Sequence, residues 1–208
     1  FLPGHPDEIM KAGGAHMSRS DFSQGDSSIE LEADHFAAGL LMPSSLVRKS
    51  LGAGQIGLKG ISDLAGDARA SLTAAAIRAA ECAEHPMCVI VSEGPAVSYA
   101  FPSPSFKDLG RNIYLRKGSL VPAGSTTEKF NADSANIRAG QEMVGACSLQ
   151  HWFDTDKNPR LDEEVIGLGR YGLPLTVLSS EELAIDPDDE DEDEALEESW
   201  TPKFAYGR

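Results

Sequence analysis

The spacing of the apolar residues changes once along the chain, near residue 85. Residues 1–26 have no sustained period and are interpreted as an irregular connection. From residue 28 to that point the apolar positions recur every three or four residues, the period of an α-helix with one buried face. After it they alternate with polar residues, or form short apolar runs bounded by Gly, Pro, Asn or Asp, which is typical of β-strands. The pattern therefore predicts a helical part over residues 1–85 and a mostly β module over residues 86–180.

Four helices are predicted in the first part. The first covers residues 28–41 and ends at Pro43, because proline cannot continue a helix. Its apolar side chains fall on one face; they are Ile29, Ala33, Phe36, Ala37 and Leu40. The other three helices cover residues 45–52 with Ser44 or Ser45 as N-cap, residues 58–65, and residues 71–83 with Ser71 as N-cap.

Seven strands are predicted in the second part, and the pattern does not give their order in a sheet. They cover residues 87–92, 97–101, 112–118, 129–132, 142–153, 163–172 and 173–179. Gly172 and Pro174 predict a tight turn between the last two. Trp152 and Phe153 are interpreted as core residues.

The charge of the chain is concentrated near its end. The net charge is −15, and residues 181–199 hold twelve Asp or Glu with no Lys or Arg, so the rest of the chain carries only −3. Such a segment repels itself and buries little apolar area, which predicts a disordered acidic tail over residues 181–208. A nearly neutral to acidic body excludes an electrostatic interface for nucleic acid.

Other global features favour a soluble intracellular protein. The chain holds no run of eighteen apolar residues, and its first ten residues lack the basic and apolar regions of a signal peptide, so a membrane partner is not expected. Its three cysteines are widely spaced, without a C-x-x-C, and are interpreted as reduced, buried thiols. We therefore expect a cytoplasmic location.

Two carboxylates on the first predicted helix carry the candidate chemistry. Glu30 and Asp34 lie one turn apart. A zinc peptidase of the thermolysin type uses two histidines and one carboxylate as ligands, and a further carboxylate can hold a ligating histidine by its other ring nitrogen. Glu30 is then the candidate zinc ligand and Asp34 its supporting neighbour. A structural alternative stays open, because Ser27 and Glu30 also form a helix capping box.

The whole segment E-x-E-A-D-x-F-A-A-x-L-L-M-P resembles the signature that follows the zinc-binding helix in the ImmA/IrrE family of metallo-endopeptidases. The residues that match are Glu30, Glu32, Ala33, Asp34, Phe36, Ala37, Ala38, Leu40, Leu41, Met42 and Pro43. By this resemblance Glu30 corresponds to the third zinc ligand. Glu32 is the weaker candidate because no acid or amide lies four residues after it.

The resemblance implies an α+β protein: the helical C-terminal part of a zincin-like metallopeptidase domain, a β-rich sensory or substrate-selecting module, and the acidic tail. It implies Zn²⁺ as cofactor and a regulatory protein, such as a repressor or antitoxin, as substrate. The His-Glu-x-x-His helix of the family has no counterpart in the 208 residues. We expect it upstream of Phe1, and expect these 208 residues alone to be inactive. Some members of the family also carry an N-terminal DNA-binding domain, and the sequence leaves open whether the parent protein has one.

Two other interpretations remain open. In one, the protein is a non-catalytic regulatory or ligand-sensing module of a transcriptional-control protein. In the other, it is a soluble α+β protein in which Glu30 only caps a helix. Because both lack a metal, zinc binding by the intact protein distinguishes them from the peptidase.

Overall fold

A computed structural model describes residues 36–52, 56–180 and 183. Residues 36–41 are helical and lead into three helices, α1 (Ser44–Gly52), α2 (Leu58–Ala68) and α3 (Leu72–Cys82). The second half contains strands β1 (Met87–Glu93), β2 (Ala96–Pro102), β3 (Glu142–Ser148), β4 (Arg160–Gly167) and β5 (Pro174–Ser179). Between them lie the short helices α4 (Pro104–Lys107), α5 (Thr126–Asn131), α6 (Ser134–Arg138) and α7 (Leu149–Trp152), and a 3₁₀ turn at Gly169–Tyr171.

The five strands form one antiparallel sheet in the order β2-β1-β5-β4-β3. Its central strand, β5, is buried along its whole length, and β1 is buried except at Glu93. The protein is therefore a mixed α+β fold, as the sequence pattern predicts at this coarse level.

Each face of the sheet has its own layer of helices. On one face, α1, α2 and α3 pack against alternate residues of β1 and β5 in a single buried cluster. On the other face, α4 and α7 cover Cys88, Ile90 and Leu178, while α5 and α6 cover Val165. This alternation follows from the two-residue period of a strand, which sends neighbouring side chains to opposite faces.

Helix α3 illustrates why the first layer packs closely. Its N-cap is Ser71, whose Oγ accepts a hydrogen bond of 3.1 Å from the backbone N–H of Ala74, as predicted. Its buried side chains are mostly alanines, which let the helix approach its neighbours. The structure thus joins α1–α3 to the sheet directly, through one core.

The predictions of two strands are wrong, because their residues form other structures. Residues 129–132 fall mostly in α5, because Ser125 caps that helix by accepting a 3.0 Å bond from the N–H of Glu128. Ser125 and Glu128 have the S-x-x-E spacing of a capping box, and this local signal decides the structure. Residues 112–118 form a connection instead of a strand, and contact the sheet through hydrogen bonds between Gly118, Ser119 and Val97.

Other boundaries also differ from the sequence pattern. The predicted strand over residues 142–153 ends at Ser148, where α7 begins. The stretch after Gly167 turns through the 3₁₀ turn, with Gly172 in the left-handed region. Trp152 and Phe153 are buried, as predicted. In the described part of the chain, no helix has the length and apolar character needed to cross a membrane.

Candidate functional site

The predicted zinc ligand Glu30 and its neighbour Asp34 lie outside the described residues, as does Glu32. The tail predicted over residues 181–208 also lies outside them, except for Leu183, which packs against the sheet. The structure does describe the C-terminal end of the predicted ligand helix, at residues 36–41, and the Met-Pro sequence that follows.

This helix end is fixed to the helical layer through Met42. The side chain of Met42 is 1% exposed and belongs to the first core. Its backbone N–H donates to the carbonyl of Ala38 at 2.8 Å, and the carbonyl of Pro43 accepts from the N–H of Val47 at 3.1 Å. Only Met42 and Pro43 therefore separate the residue 36–41 helix from α1.

Arg78 of α3 forms hydrogen bonds with the segment that joins the residue 36–41 helix to α1. Its Nε donates to the carbonyl of Met42 at 3.0 Å, and its Nη2 donates to Oγ of Ser44 at 2.9 Å. Its Nη1 forms an ion pair with Glu81 at 3.0 Å, which orients the guanidinium. Only 16% of the Arg78 side chain is exposed. A planar guanidinium with several donors is suited to this task because one side chain satisfies three acceptors at once.

The apolar face of the residue 36–41 helix is uncovered. Phe36 is 61% and Leu40 70% exposed, and Leu41 is exposed as well, in contrast to Met42 beside them. The sequence pattern places Phe36 and Leu40 on the apolar face of this helix, so it predicts burial that the described residues do not supply. Exposed apolar side chains of this size are available to pack against another element of the protein.

A second group of polar side chains lies inside the protein, between the sheet and α5. The carboxylate of Glu163, on β4, is fully buried. Its Oε1 accepts hydrogen bonds from the backbone N–H and the hydroxyl of Thr127, at 2.8 and 2.7 Å. The Thr127 hydroxyl also lies 2.9 Å from that of Thr176 on β5. The carboxylate therefore ties the first turn of α5 to the sheet.

Oε2 of Glu163 and Nε1 of Trp152 are buried without a nitrogen or oxygen partner among the described residues, and both side chains instead lie beside a thiol. The thiol of Cys147 on β3 lies close to both side chains. Burial, assisted by the negative charge and hydrogen bonding of Glu163, raises the pKa of Cys147 to about 12. A thiol with this pKa is protonated at neutral pH and is a poor nucleophile, so the arrangement does not support cysteine catalysis.

The described histidines do not form a metal site. Burial lowers the pKa of His85, despite the opposing charge of Glu84, and its Nε2 has no partner in the described part of the chain. His151 places Nε2 2.9 Å from the carbonyl of Ala123. It lines a shallow surface cleft of about 430 Å³ formed by residues 150–155. Over residues 36–52 and 56–180, no three His, Cys, Asp or Glu side chains are grouped as a metal would require.

Sequence reasoning missed the roles of Arg78 and Glu163. Glu163 had a detectable signal, because it occupies the apolar phase of β4 between Leu161 and Val165. A carboxylate in a buried register needs hydrogen-bond donors nearby. Arg78 had no comparable signal, since a single arginine in an alanine-rich helix is usually exposed.

The sequence matches no protein-family model and no curated protein. The resemblance to the ImmA/IrrE family therefore rests on the residues of the Glu30–Pro43 segment themselves.

Proposed function

We propose that this chain is the C-terminal portion of a zinc metallo-endopeptidase similar to the ImmA/IrrE family. In the parent protein, Glu30 supplies the carboxylate ligand and Asp34 steadies a ligating histidine through its second ring nitrogen. The substrate is a regulatory protein, such as a repressor or antitoxin, cleaved in the cytoplasm.

The observation that carries this proposal is the combination of a fixed helix end and an uncovered apolar face. Met42 and Arg78 hold the C-terminal end of the predicted ligand helix in the helical layer. A metal ligand needs such support, because zinc requires its donor atoms within a few tenths of an ångström of fixed positions. Phe36 and Leu40 remain exposed on the same helix, and a preceding helix that carries the histidine pair is the element expected to cover them.

The donor set within the 208 residues is incomplete. Glu30 provides one carboxylate, whereas a catalytic zinc site takes three protein ligands and leaves one position for water. No His-Glu-x-x-His sequence occurs between Phe1 and Arg208. When bound, zinc would polarise a water molecule for attack on a peptide bond. The histidines and the general base must come from residues upstream of Phe1, so this chain alone performs no catalytic step.

Proteolysis by the intact protein tests the proposal. We expect chelator-sensitive cleavage of a repressor or antitoxin protein, abolished by Glu30→Ala and retained by Glu32→Ala. The absence of a His-Glu-x-x-His sequence in the upstream codons would refute the enzyme. So would equal activity of Glu30→Ala and the wild type.

One observation favours the non-catalytic, ligand-sensing alternative. Oε2 of Glu163 and Nε1 of Trp152 are buried, and the group that lies near both side chains is the thiol of Cys147, a weak donor and weak acceptor. A small polar molecule with both a donor and an acceptor would form stronger hydrogen bonds with these two groups than the thiol does. This alternative predicts an intact protein that holds no zinc and whose thermal stability rises with a polar small ligand but not with zinc.

A further inference from the structure

Strand β3 (Glu142–Ser148) ends the sheet on one side, and its outer edge has no backbone partner among the described residues. The inner edge is paired with β4. At its two ends the carbonyl of Gln141 accepts from the N–H of Gly167, and the N–H of Leu149 donates to the carbonyl of Pro159, both at 3.0 Å. These bonds continue the register of the strand pair. Odd-numbered residues of β3 therefore bond to β4, and even-numbered residues direct their N–H and C=O groups outward.

The outward-bonding residues also present the exposed side chains. Val144 is 69% exposed, and Ala146 and Glu142 are exposed. The strand contains no lysine, no proline and no bulge, which are the features that protect edge strands from pairing with another chain. Glu142 is its only charged residue. The edge is thus open for the addition of a strand.

We propose that β3 pairs antiparallel with β3 of a second copy of this chain, about a two-fold axis at Gly145, to form one continuous ten-stranded sheet. In this register Val144 lies opposite the partner's Ala146, and Ala146 opposite the partner's Val144. These two residue pairs together supply four backbone hydrogen bonds. They also place the exposed Val144 and Ala146 side chains of the two copies in contact on one face of the sheet. A two-fold interface requires such reciprocity, because every contact between the two copies occurs twice.

The charges select this register. It places Glu142 opposite the partner's Ser148. Ser148 lies beside Arg160 of its own β4, and both side chains are on the face that carries Val144. Neighbouring strands are about 4.8 Å apart, so Glu142 of one copy and Arg160 of the other are two strand spacings apart, with only the small Ser148 between. The long side chains of Glu142 and Arg160 span this distance. Because the interface is two-fold symmetric, the dimer contains two such ion pairs.

Other registers of the same strands lack this complementarity. A shift that places Val144 opposite the partner's Val144 moves Glu142 to Ala146 and away from Arg160. A shift of one residue brings outward-bonding residues opposite inward-bonding ones, which breaks the hydrogen bonding. Asp162 and Glu164 of β4 lie on the same face, but they stand opposite Ala146 and Val144 of their own copy in every register. The pairing of Glu142 with the partner's Arg160 is therefore what distinguishes this alignment from the other two.

Analytical ultracentrifugation of the 208-residue chain over a range of protein concentrations tests this pairing. We expect a concentration-dependent dimer for the wild type and a monomer for Val144→Lys, with the circular dichroism spectrum of the wild type. Leu120→Lys is the matched control, since Leu120 is 73% exposed and lies beside β2 at the other edge; it should dimerise as the wild type does.

Charge reversal tests the register. Glu142→Arg and Arg160→Glu should each weaken the dimer about tenfold, because two ion pairs become repulsive contacts. The double variant should regain the wild-type affinity. A monomeric wild type, a dimer that survives Val144→Lys, or a double variant no better than the single ones would overturn the proposal. The proposal does not depend on zinc, so its failure leaves the peptidase proposal untouched.

Discussion

Replacement of Arg78 by lysine tests whether its guanidinium fixes the end of the predicted ligand helix. Lysine keeps the positive charge but is a single point donor, whereas Arg78 reaches Met42, Ser44 and Glu81 together. Two of the three contacts are lost in the variant. At about 1 kcal/mol for each partly buried hydrogen bond, the free energy of unfolding should fall by about 2 kcal/mol.

Thermal unfolding followed by circular dichroism gives the measurement. For a chain of this length, 1 kcal/mol corresponds to a change in Tm of about 3 °C, so Arg78→Lys should lower Tm by about 6 °C. Arg48→Lys is the control: Arg48 pairs with Glu84 at 3.0 Å, but the two side chains are 59% and 54% exposed. Such a surface pair contributes less than about 1 kcal/mol. Equal Tm values for the two variants would refute the anchoring role of Arg78.

Three further predictions concern the buried groups. Glu163→Ala should lower the unfolding free energy by about 3 kcal/mol in denaturant titrations, because both donors of Thr127 lose their acceptor. Glu163→Gln keeps an acceptor and should lower it by less than about 1 kcal/mol. Equal losses for the two variants would contradict this. Burial lowers the pKa of His85 from 6.5, so the unfolded state binds the proton more tightly than the folded state. The free energy of unfolding that depends on neutral His85 is therefore complete above about pH 6.5, and it decreases as the pH falls below that value. His85→Gln should show a smaller loss of stability between about pH 7.5 and about pH 5.5 than the wild type, and an unchanged loss would contradict the assignment. Gly167→Ala should destabilise the protein by about 2 kcal/mol, because the added Cβ would lie 2.5 Å from a backbone carbonyl of α6. The Cβ added by Gly66→Ala in α2 meets nothing within 4 Å, so this variant should stabilise the protein by up to about 1 kcal/mol. A change in stability of the same sign for both variants would contradict the geometry.

The parts of the fold that the sequence predicts are those with a strong local period. Strands β1 and β5 are short apolar runs bounded by turn residues, and α3 begins at a serine cap, so each element could be located from its own residues. Where two local signals compete, the stronger one determines the structure. The capping box at Ser125 and Glu128 overrides the strand-like residues that follow it.

The remaining features depend on contacts between distant segments, which a single sequence does not encode locally. The order of the strands places β5 between β1 and β4, although β1 and β5 are separated by about half of the described chain. The bond from Arg78 to Met42 joins residues 36 positions apart, and that from Thr127 to Glu163 also spans 36 positions. Glu30 and Asp34, the residues with the clearest chemical signal, lie outside the described residues, so their roles stay predictions.

The zinc content of the intact protein tests the central claim most directly. Atomic absorption or inductively coupled plasma measurement should find about one zinc ion per chain in the wild type, since a catalytic site holds one ion on three protein ligands. Glu30→Ala should lose the metal while its circular dichroism spectrum stays unchanged, and Glu32→Ala should retain it. A wild-type protein without zinc, or zinc retained by a folded Glu30→Ala variant, would contradict the account.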